Sequence, residues 1–444
     1  MESYMKELEE RMGGNDDFFI LPDQILGTPF VMMGFVTLID LTRTKITLRK
    51  NRESLSESVS DITELMAVFG DIREFDLEEM VTLFIGGKLI LLFEGQQRYV
   101  VVEPIPNVLS RAVESPTNEN VLQGSMSSFN EDIDTNIGIV RKQSISKHVR
   151  VKTFLTGSEQ LKKLSLIYDN CHVEPELVEK IIKQIESSSE YEINNLQNLS
   201  KAMGFSSWSA IPKFYTTELP QEAANALKKG KVILFVDRLP FALILPNLLW
   251  DMFSLDNDRN FPLPIMYAIR ILRVIGVLTT LLAPGLYVAL VAVNPEVLRI
   301  ELALTIAQSR EGVPYPAIVE IIFMLVILEL IIEASTRLPR SIGPTITMVG
   351  GIILGQAVVT ARLVSNLLII VLAATTIANS TVVGFQNSLS IRLFKYLLVI
   401  LCSIYGVLGL LAGLVILSAY LASINTFGIS YLNFNMKKGE TENG

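Results

Sequence analysis

The segment EIIFMLVILELIIEASTRLPR, residues 320–340, places three carboxylates, Glu320, Glu329 and Glu333, in a run otherwise built largely of Ile, Leu, Val and Met. Acidic groups in so apolar a setting can do two kinds of chemistry. They can pair with cations and lock helices together, for which Arg337, Arg340 and Arg362 are the candidate partners, or they can line a path for a cation or a proton. On a helix, Glu329 and Glu333 share a face while Glu320 points about 180° away from Glu329. Glu320 and Glu333 lie near the ends, where a carboxylate reaches the headgroups, and Glu329 lies deeper. A charge facing hydrocarbon costs about 2–3 kcal/mol on insertion scales, so all three are expected to face protein or water.

A second constellation lies in PTITMVGGIILGQAVVTA, residues 344–361. Gly351 and Gly355 form a GxxxG ridge that lets another backbone approach closely. About 100° around the helix, Thr345, Val349, Ile352, Gln356 and Thr360 fall on one stripe, polar at its ends and aliphatic at its centre. Around an axis shared by several copies, that stripe would make a pore wetted at both mouths and closed by dewetting at Val349 and Ile352. In a single copy it is a tightly packed helix and nothing more.

Elsewhere the chain offers little reactive chemistry. There are 2 histidines and 2 cysteines, with no Cys-x-x-Cys pair, phosphate-cradling Gly loop or Gly-x-Ser-x-Gly elbow. Cys171 and His172 are sequence neighbours, and adjacent side chains rarely face one another as nucleophile and base do. Cys171 and Cys402 are expected to be free thiols of a reducing compartment. The expectation is therefore a protein that is not an enzyme and needs no cofactor or metal. A net charge of −8 without a basic stripe gives no reason to invoke nucleic acid.

The elements that must position these groups divide into two unlike halves. Over 444 residues the mean hydropathy is +0.41, too apolar for an ordinary soluble protein. Residues 235–444 hold 13 Lys/Arg and 12 Asp/Glu, which leaves 25 and 34 of the totals of 38 and 46 for residues 1–234. The front half is thus acidic and water-soluble in character. Between Ser341 and Ser423 only Arg362, Arg392 and Lys395 are charged, as in membrane-embedded chains. The N-terminus MESYMKELEERMGG lacks an apolar core, so the front half is expected to stay cytoplasmic.

That front half reads as an α/β structure built twice. GKLILLFEGQQRYVVVEP from Gly87 and GKVILFVDRLPFALILP from Gly230 are the same hairpin: Gly-Lys, a β run, an acidic residue with a turn, and a second β run before Pro104 or Pro246. A looser echo makes VTLIDL (36–41) and LSLIYD (164–169) buried-strand candidates. PELVEKIIKQIES, from Pro175, has Leu177, Val178, Ile181, Ile182 and Ile185 at helical spacing. The expected organisation is a first lobe over 1–113, a polar linker at 114–133, a second lobe over 134–240, an all-α membrane domain over 241–432 and a short tail over 433–444.

Within the oily half, Phe241 to Phe253 is short and broken by Pro246, which suggests a re-entrant or interfacial segment. Five spans are expected, near 271–293 with Arg270 and Arg273 at its entrance and a kink at Pro284, 317–336, 344–361, 366–383 and 394–423. Residues 294–316 mix charge and Leu at helical spacing and should lie along the surface. Contact with membrane lipid follows. The side of the C-terminus is left open.

Several ordered motifs resemble the A subunit of GerA-type spore germination receptors. PFALILP (240–246), LYVAL (286–290), REGVPYP (310–316), RLPRSIG (337–343) and GQAVV (355–359) carry the resemblance in the apolar half. SPTNENVLQG, FNEDIDTNIGIVR (129–141) and EPELVEKI (174–181) carry it in the soluble half. Glu320, Glu333, Gln356 and the Arg337–Arg340 turn fall at positions of the family pattern. Ser430 replaces its usual Pro, and Asn425 and Thr426 stand where a basic residue is usual. The resemblance implies a subunit of a nutrient-sensing complex in the spore inner membrane, with a permease-like B subunit and a lipoprotein C subunit as partners. It also implies a homo-oligomer whose membrane domains conduct ions when nutrient binds. Two other readings stay open: a secondary transporter using Glu329 and Glu333, and the stage V sporulation homologue linked to dipicolinate release.

Overall fold

The computed structural model describes residues 2–25, 28–53, 62–107, 127–339 and 342–434. The first lobe runs α1 (Glu2–Met12), β1 (Phe18–Ile25), β2 (Thr28–Phe35), α2 (Leu41–Glu53), α3 (Ile62–Phe69), β3 (Asp71–Glu74), α4 (Leu77–Ile85), β4 (Leu89–Phe93), β5 (Arg98–Val102). The second repeats it element for element: α5 (Ile133–Gln143), β6 (Val149–Thr156), β7 (Lys162–Asp169), α6 (Pro175–Ser187), α7 (Leu196–Ala202), β8 (Tyr215–Thr217), α8 (Pro220–Lys228), β9 (Val232–Val236), β10 (Ala242–Leu245). The two five-stranded sheets share one strand order, β1-β2-β4-β5-β3 and β6-β7-β9-β10-β8, with every neighbouring pair antiparallel.

The Gly-Lys repeat has a specific cause. Each pair follows a helix that must stop and feed a strand. Gly87 and Gly230 both take a φ of +78°, and the amides of Lys88 and Lys231 reach back to Leu83 O and Ala226 O. This is the left-handed helix stop that glycine adopts without steric cost. In β9, Val232, Leu234 and Val236 then enter the core under α6 and α7, while Ile233 and Phe235 pack on the other face beneath α5 and α8.

Two expectations about strands are corrected. Residues 36–41 are not a strand: β2 ends at Phe35 and the chain turns into α2, leaving one isolated bridge from Ile39 to Pro106. Phe241–Phe253 is not a membrane segment either. Its first part is β10, fully buried in the second sheet, and the rest is a short 3-10 turn at Leu249–Met252. Of the linker expected at 114–133, residues 114–126 lie outside the described residues, and Phe129 packs edge-on against Phe235 at 4.9 Å.

The helical half begins with α9 (Leu263–Val288), which contains Pro284 and continues as a π turn over Ala289–Val293. Then come α10 (Ile300–Ser309), α11 (Ala317–Arg337), α12 (Gly343–Thr360), α13 (Asn366–Asn379) and α14 (Phe385–Ser423), closed by a small hairpin, β11 (Asn425–Thr426) and β12 (Ile429–Ser430). Among the described residues, three helices are long and apolar enough to cross a membrane by length and composition: Leu263–Val293, Gly343–Thr360 and Phe385–Ser423. α11 has the length but carries three carboxylates, and α13 has only 14 residues.

The last helix is not a single span. At Gly406, with φ 59° and ψ −135°, the chain reverses. Phe394 meets Tyr420 at 5.8 Å between rings, and Leu398 packs with Leu417. In a straight helix those pairs would lie about 39 and 28 Å apart at 1.5 Å per residue. The two legs are therefore antiparallel. Asn294, at the end of the π turn, accepts the Val407 amide at 3.0 Å and caps the second leg.

The reversal settles which ends meet. Ile429 and Phe427 of the closing hairpin pack into the second lobe's core, and Ala210 of that lobe bonds Tyr420 and Ser390 of the two legs. Both ends of α14 therefore sit on the second lobe. A Cβ at Gly406 would overlap Asn294 Oδ1, in a backbone conformation that only glycine tolerates. Gly406→Ala should lower the thermal midpoint of the detergent-solubilised chain, equivalent to about 1–3 kcal/mol. Gly350→Ala, inside α12 where a Cβ meets open space, should not lower it and should raise it by up to about 1 kcal/mol equivalent.

Candidate functional site

The helical array is held together at its two ends by charge. At the end far from the lobes, Glu320 in the first turn of α11 is 1% exposed. Its Oε1 accepts from Arg310 Nη2 at 2.8 Å and Nε at 3.2 Å, and its Oε2 accepts the Ser365 amide at 3.1 Å. Ser365 Oγ caps α13 through the Leu368 amide and lies 2.9 Å from Tyr287 Oη of α9. One carboxylate thus ties together the 310–316 loop, α11, α13 and α9. Its partner is Arg310, ten residues upstream, a pairing not anticipated from sequence.

Nearer the lobes, Glu329 pairs with Arg392 of α14 at 2.7 Å and departs from the expected partners. Lys395, one turn on, is buried and lies 5.2 Å from the Tyr396 ring. Glu333 pairs with Arg337 at 2.6 Å on the exposed surface of its own helix. Arg362 lies against Gly312, and Arg340 lies outside the described residues. Arg310, Ser365, Tyr287, Arg392 and Lys395 were not singled out from sequence. The signal available was one of counting: Arg392 and Lys395 are two of three charges in an 83-residue acid-free tract, and each needs an acid from elsewhere.

The α12 stripe is set apart from these nodes. Thr345, Val349, Ile352, Gln356 and Thr360 are all exposed, Val349 at 46% and Ile352 at 62%. Only 11% of α12 is buried, against 50% and 33% of the most apolar stretches of the other two long apolar helices. A Cβ at Gly351 or Gly355 would meet nothing within 4 Å, so the GxxxG ridge has no partner among the described residues. The ridge is open and not packed within the chain.

Residues 6–441 match the family described as Bacillus/Clostridium GerA spore germination protein. The chain belongs to that family. Spore germination protein GerLA of Bacillus cereus is 28% identical over 436 residues, covering 96% of this chain and 88% of the relative. Spore germination protein KA of Bacillus subtilis (strain 168) is 30% identical over 379 residues, covering 85% and 70%. Among solved structures, the N-terminal domain of the A subunit of the Bacillus megaterium spore germinant receptor GerK3 aligns with 55% of this chain and 94% of its own, at 19% identity and a TM-score of 0.40.

In this GerA-family chain the joint between second lobe and helices is also ionic. Asp258 pairs with Arg273 of α9 and approaches Arg270 at 3.8 Å, so these arginines lie inside α9 as lobe contacts and do not mark its entrance. Glu222 of α8 accepts the Asp256 amide at 2.9 Å, and Lys229 holds the Asp256 carboxylate at 2.8 Å. Burial, followed by the negative charge of Asp256, pushes the Glu222 carboxyl up to about 8. Burial pulls Asp256 upward too, but Lys229 outweighs it and holds that group below its ordinary value. In the soluble half, His172 Nδ1 lies 3.1 Å from Asp169 Oδ2 and Cys171 is exposed.

Two outcomes follow. Truncating Glu320 leaves Arg310 without its ion-pair partner, so Glu320→Ala should cost about 3–5 kcal/mol of stability in detergent, with much of it restored when Arg310→Met is added. At the joint, the folded chain keeps on Glu222 a proton that the unfolded chain releases above about 4.5. That contribution is complete below the unfolded value and lost as pH rises through about 8, so the thermal midpoint should fall between about pH 6 and about pH 8.5. Glu222→Gln, a permanent neutral mimic, should flatten this part of the profile in thermal-shift measurements.

Proposed function

We propose that this chain is the A-type subunit of a nutrient-germinant receptor in the spore inner membrane, assembled with a permease-like B subunit and a lipoprotein C subunit. Several copies meet around an axis through α12, and the assembly is an ion channel whose closed gate is the aliphatic centre of the stripe, Val349 and Ile352. The observation that carries this reading is the openness of α12. A helix of this length and apolarity, with an exposed polar-aliphatic-polar stripe and a glycine ridge where an added Cβ would meet nothing within 4 Å, is suited to association with copies of itself. The second lobe is bonded to α9 through Asp258 and to both ends of α14 through Ala210, so a movement imposed on that lobe reaches the helices directly.

A secondary transporter with Glu329 and Glu333 as carriers finds less support, because each carboxylate is already neutralised by an arginine on this chain. Widening the gate is the direct test. Spores whose sole copy is Val349→Ala or Ile352→Ser should lose monovalent cations without nutrient, at a rate about tenfold above the parent, since a shorter or polar side chain lowers the dewetting barrier. Normal ion content and full dormancy in both variants, with the protein present at parental level, would remove the gate assignment.

A further inference from the structure

The loop between α7 and β8 carries Trp208, which at 94% is the most exposed large apolar side chain among the described residues. An indole in open water is unusual, and the loop's placement suggests what covers it. Two residues on, Ala210 is fixed to both legs of α14: its amide donates to Tyr420 Oη at 3.0 Å and its carbonyl accepts from Ser390 Oγ at 2.6 Å. Ile211 is buried with Ile424, Tyr431, Phe394 and Leu421, so the base of the loop is wedged between the leg ends. Phe205, on the other side, packs against Phe214 and Phe427. The loop cannot swing away from the helices.

Ala210 therefore sits about one helical turn inside the lobe-side ends of the two legs, and Trp208 is two residues from it. The perimeter of the array at this level is exposed and apolar: Phe385, Leu389 and Leu393 on the first leg, and Leu263 and Tyr267 at the start of α9. Lys213, at the same end, reaches Asn425 O at 3.5 Å. Aromatic rings with a polar edge, flanked by a lysine, at the end of an apolar span are the arrangement favoured at headgroup depth.

We propose that the Trp208 loop is a membrane-surface anchor, its indole seated among lipid headgroups beside the ends of α14, fixing the height and tilt of the second lobe over the bilayer. This rests on the reading of the helical half as membrane-embedded. The occupant is lipid because the first leg, whose Ser390 bonds the loop at Ala210, presents Phe385, Leu389 and Leu393 as exposed apolar side chains beside it.

The chain has 2 tryptophans, so Trp250→Phe leaves Trp208 as the sole reporter in the full-length protein. In nanodiscs, lipids brominated near the headgroup should quench it about twofold more than lipids brominated near the acyl terminus. If Trp250→Phe fails to fold, the difference in quenching between the parent and Trp208→Phe gives the same reading. Leu411→Trp in a chain lacking both native tryptophans checks the membrane reading separately, because it sits on the second leg and should respond to the deep bromines. Quenching of Leu411→Trp together with a Trp208 silent to bromolipid and open to acrylamide would overturn the anchor. A Trp208 shielded from acrylamide yet silent to bromolipid would overturn it also, and would assign the site to another protein.

Discussion

A single buried carboxylate organises the far end of this protein. Glu320, itself shut off from solvent, accepts hydrogen bonds from a half-buried guanidinium on one loop and from a buried backbone amide at the start of another helix. Left unpaired, any one of the three would cost several times what a surface contact contributes. Four segments must therefore arrive together, and the chain between Tyr287 and Ser365 can close in one way. The charge that looked out of place in an oily sequence is what gives an otherwise slippery set of helices a register.

The lobe side is fixed by different means. Lipid-facing helices gain no hydrophobic driving force from one another, so their ends need a template. The second lobe supplies it, through Asp258 and the two arginines of α9, Ala210 between the legs of α14, and the closing hairpin laid into its core. The first lobe does not share this burden. It is fastened to the second by Arg141, whose guanidinium is buried against Asp17 at 2.6 Å, Asn15 at 2.9 Å and the Phe35 ring at 4.0 Å. A duplicated fold thus uses one copy as a platform and carries the other upon it.

What the sequence made legible follows from how local the determining physics is. The doubled hairpin could be read because a left-handed glycine, a lysine and an alternating strand are consecutive. The α6 stripe could be read because 3.6-residue periodicity needs no partner to be recognised, and Leu177, Val178, Ile181 and Ile185 are all buried. The reversal at Gly406 could not. A glycine in a run of Leu and Val is ordinary in membrane helices, and only Asn294, 112 positions earlier, makes it a turn. Partner choice succeeded for Glu333, whose Arg337 is four residues on, and failed for Glu329, because Arg392 is 63 residues away and no pattern within either helix points to the other. Arg270 and Arg273 were read as a membrane boundary because their acid, Asp258, lies across a 3-10 turn. The stripe on α12 was visible, since it is a property of one helix, but its emptiness was not.

That emptiness is the asymmetry that gives the arrangement its meaning. Glu320, Glu329 and Glu333 each have an arginine, and Asp256 and Asp258 each have a basic partner, within this chain. The glycines of α9 approach neighbouring atoms so closely that a Cβ at Gly276 or Gly285 would collide with Thr381 or Cys402. By contrast, Gly350, Gly351 and Gly355 touch nothing, on a helix with no charge to satisfy and no polar node to serve. Glycine in a helix interior costs about 1 kcal/mol relative to alanine, and that cost is offset only where a backbone approaches closely. Three of them facing open space within six residues would be an unrecovered cost in a chain that acted alone. The same residues become favourable once another backbone is laid against them, which is what the proposed association of copies through α12 would supply.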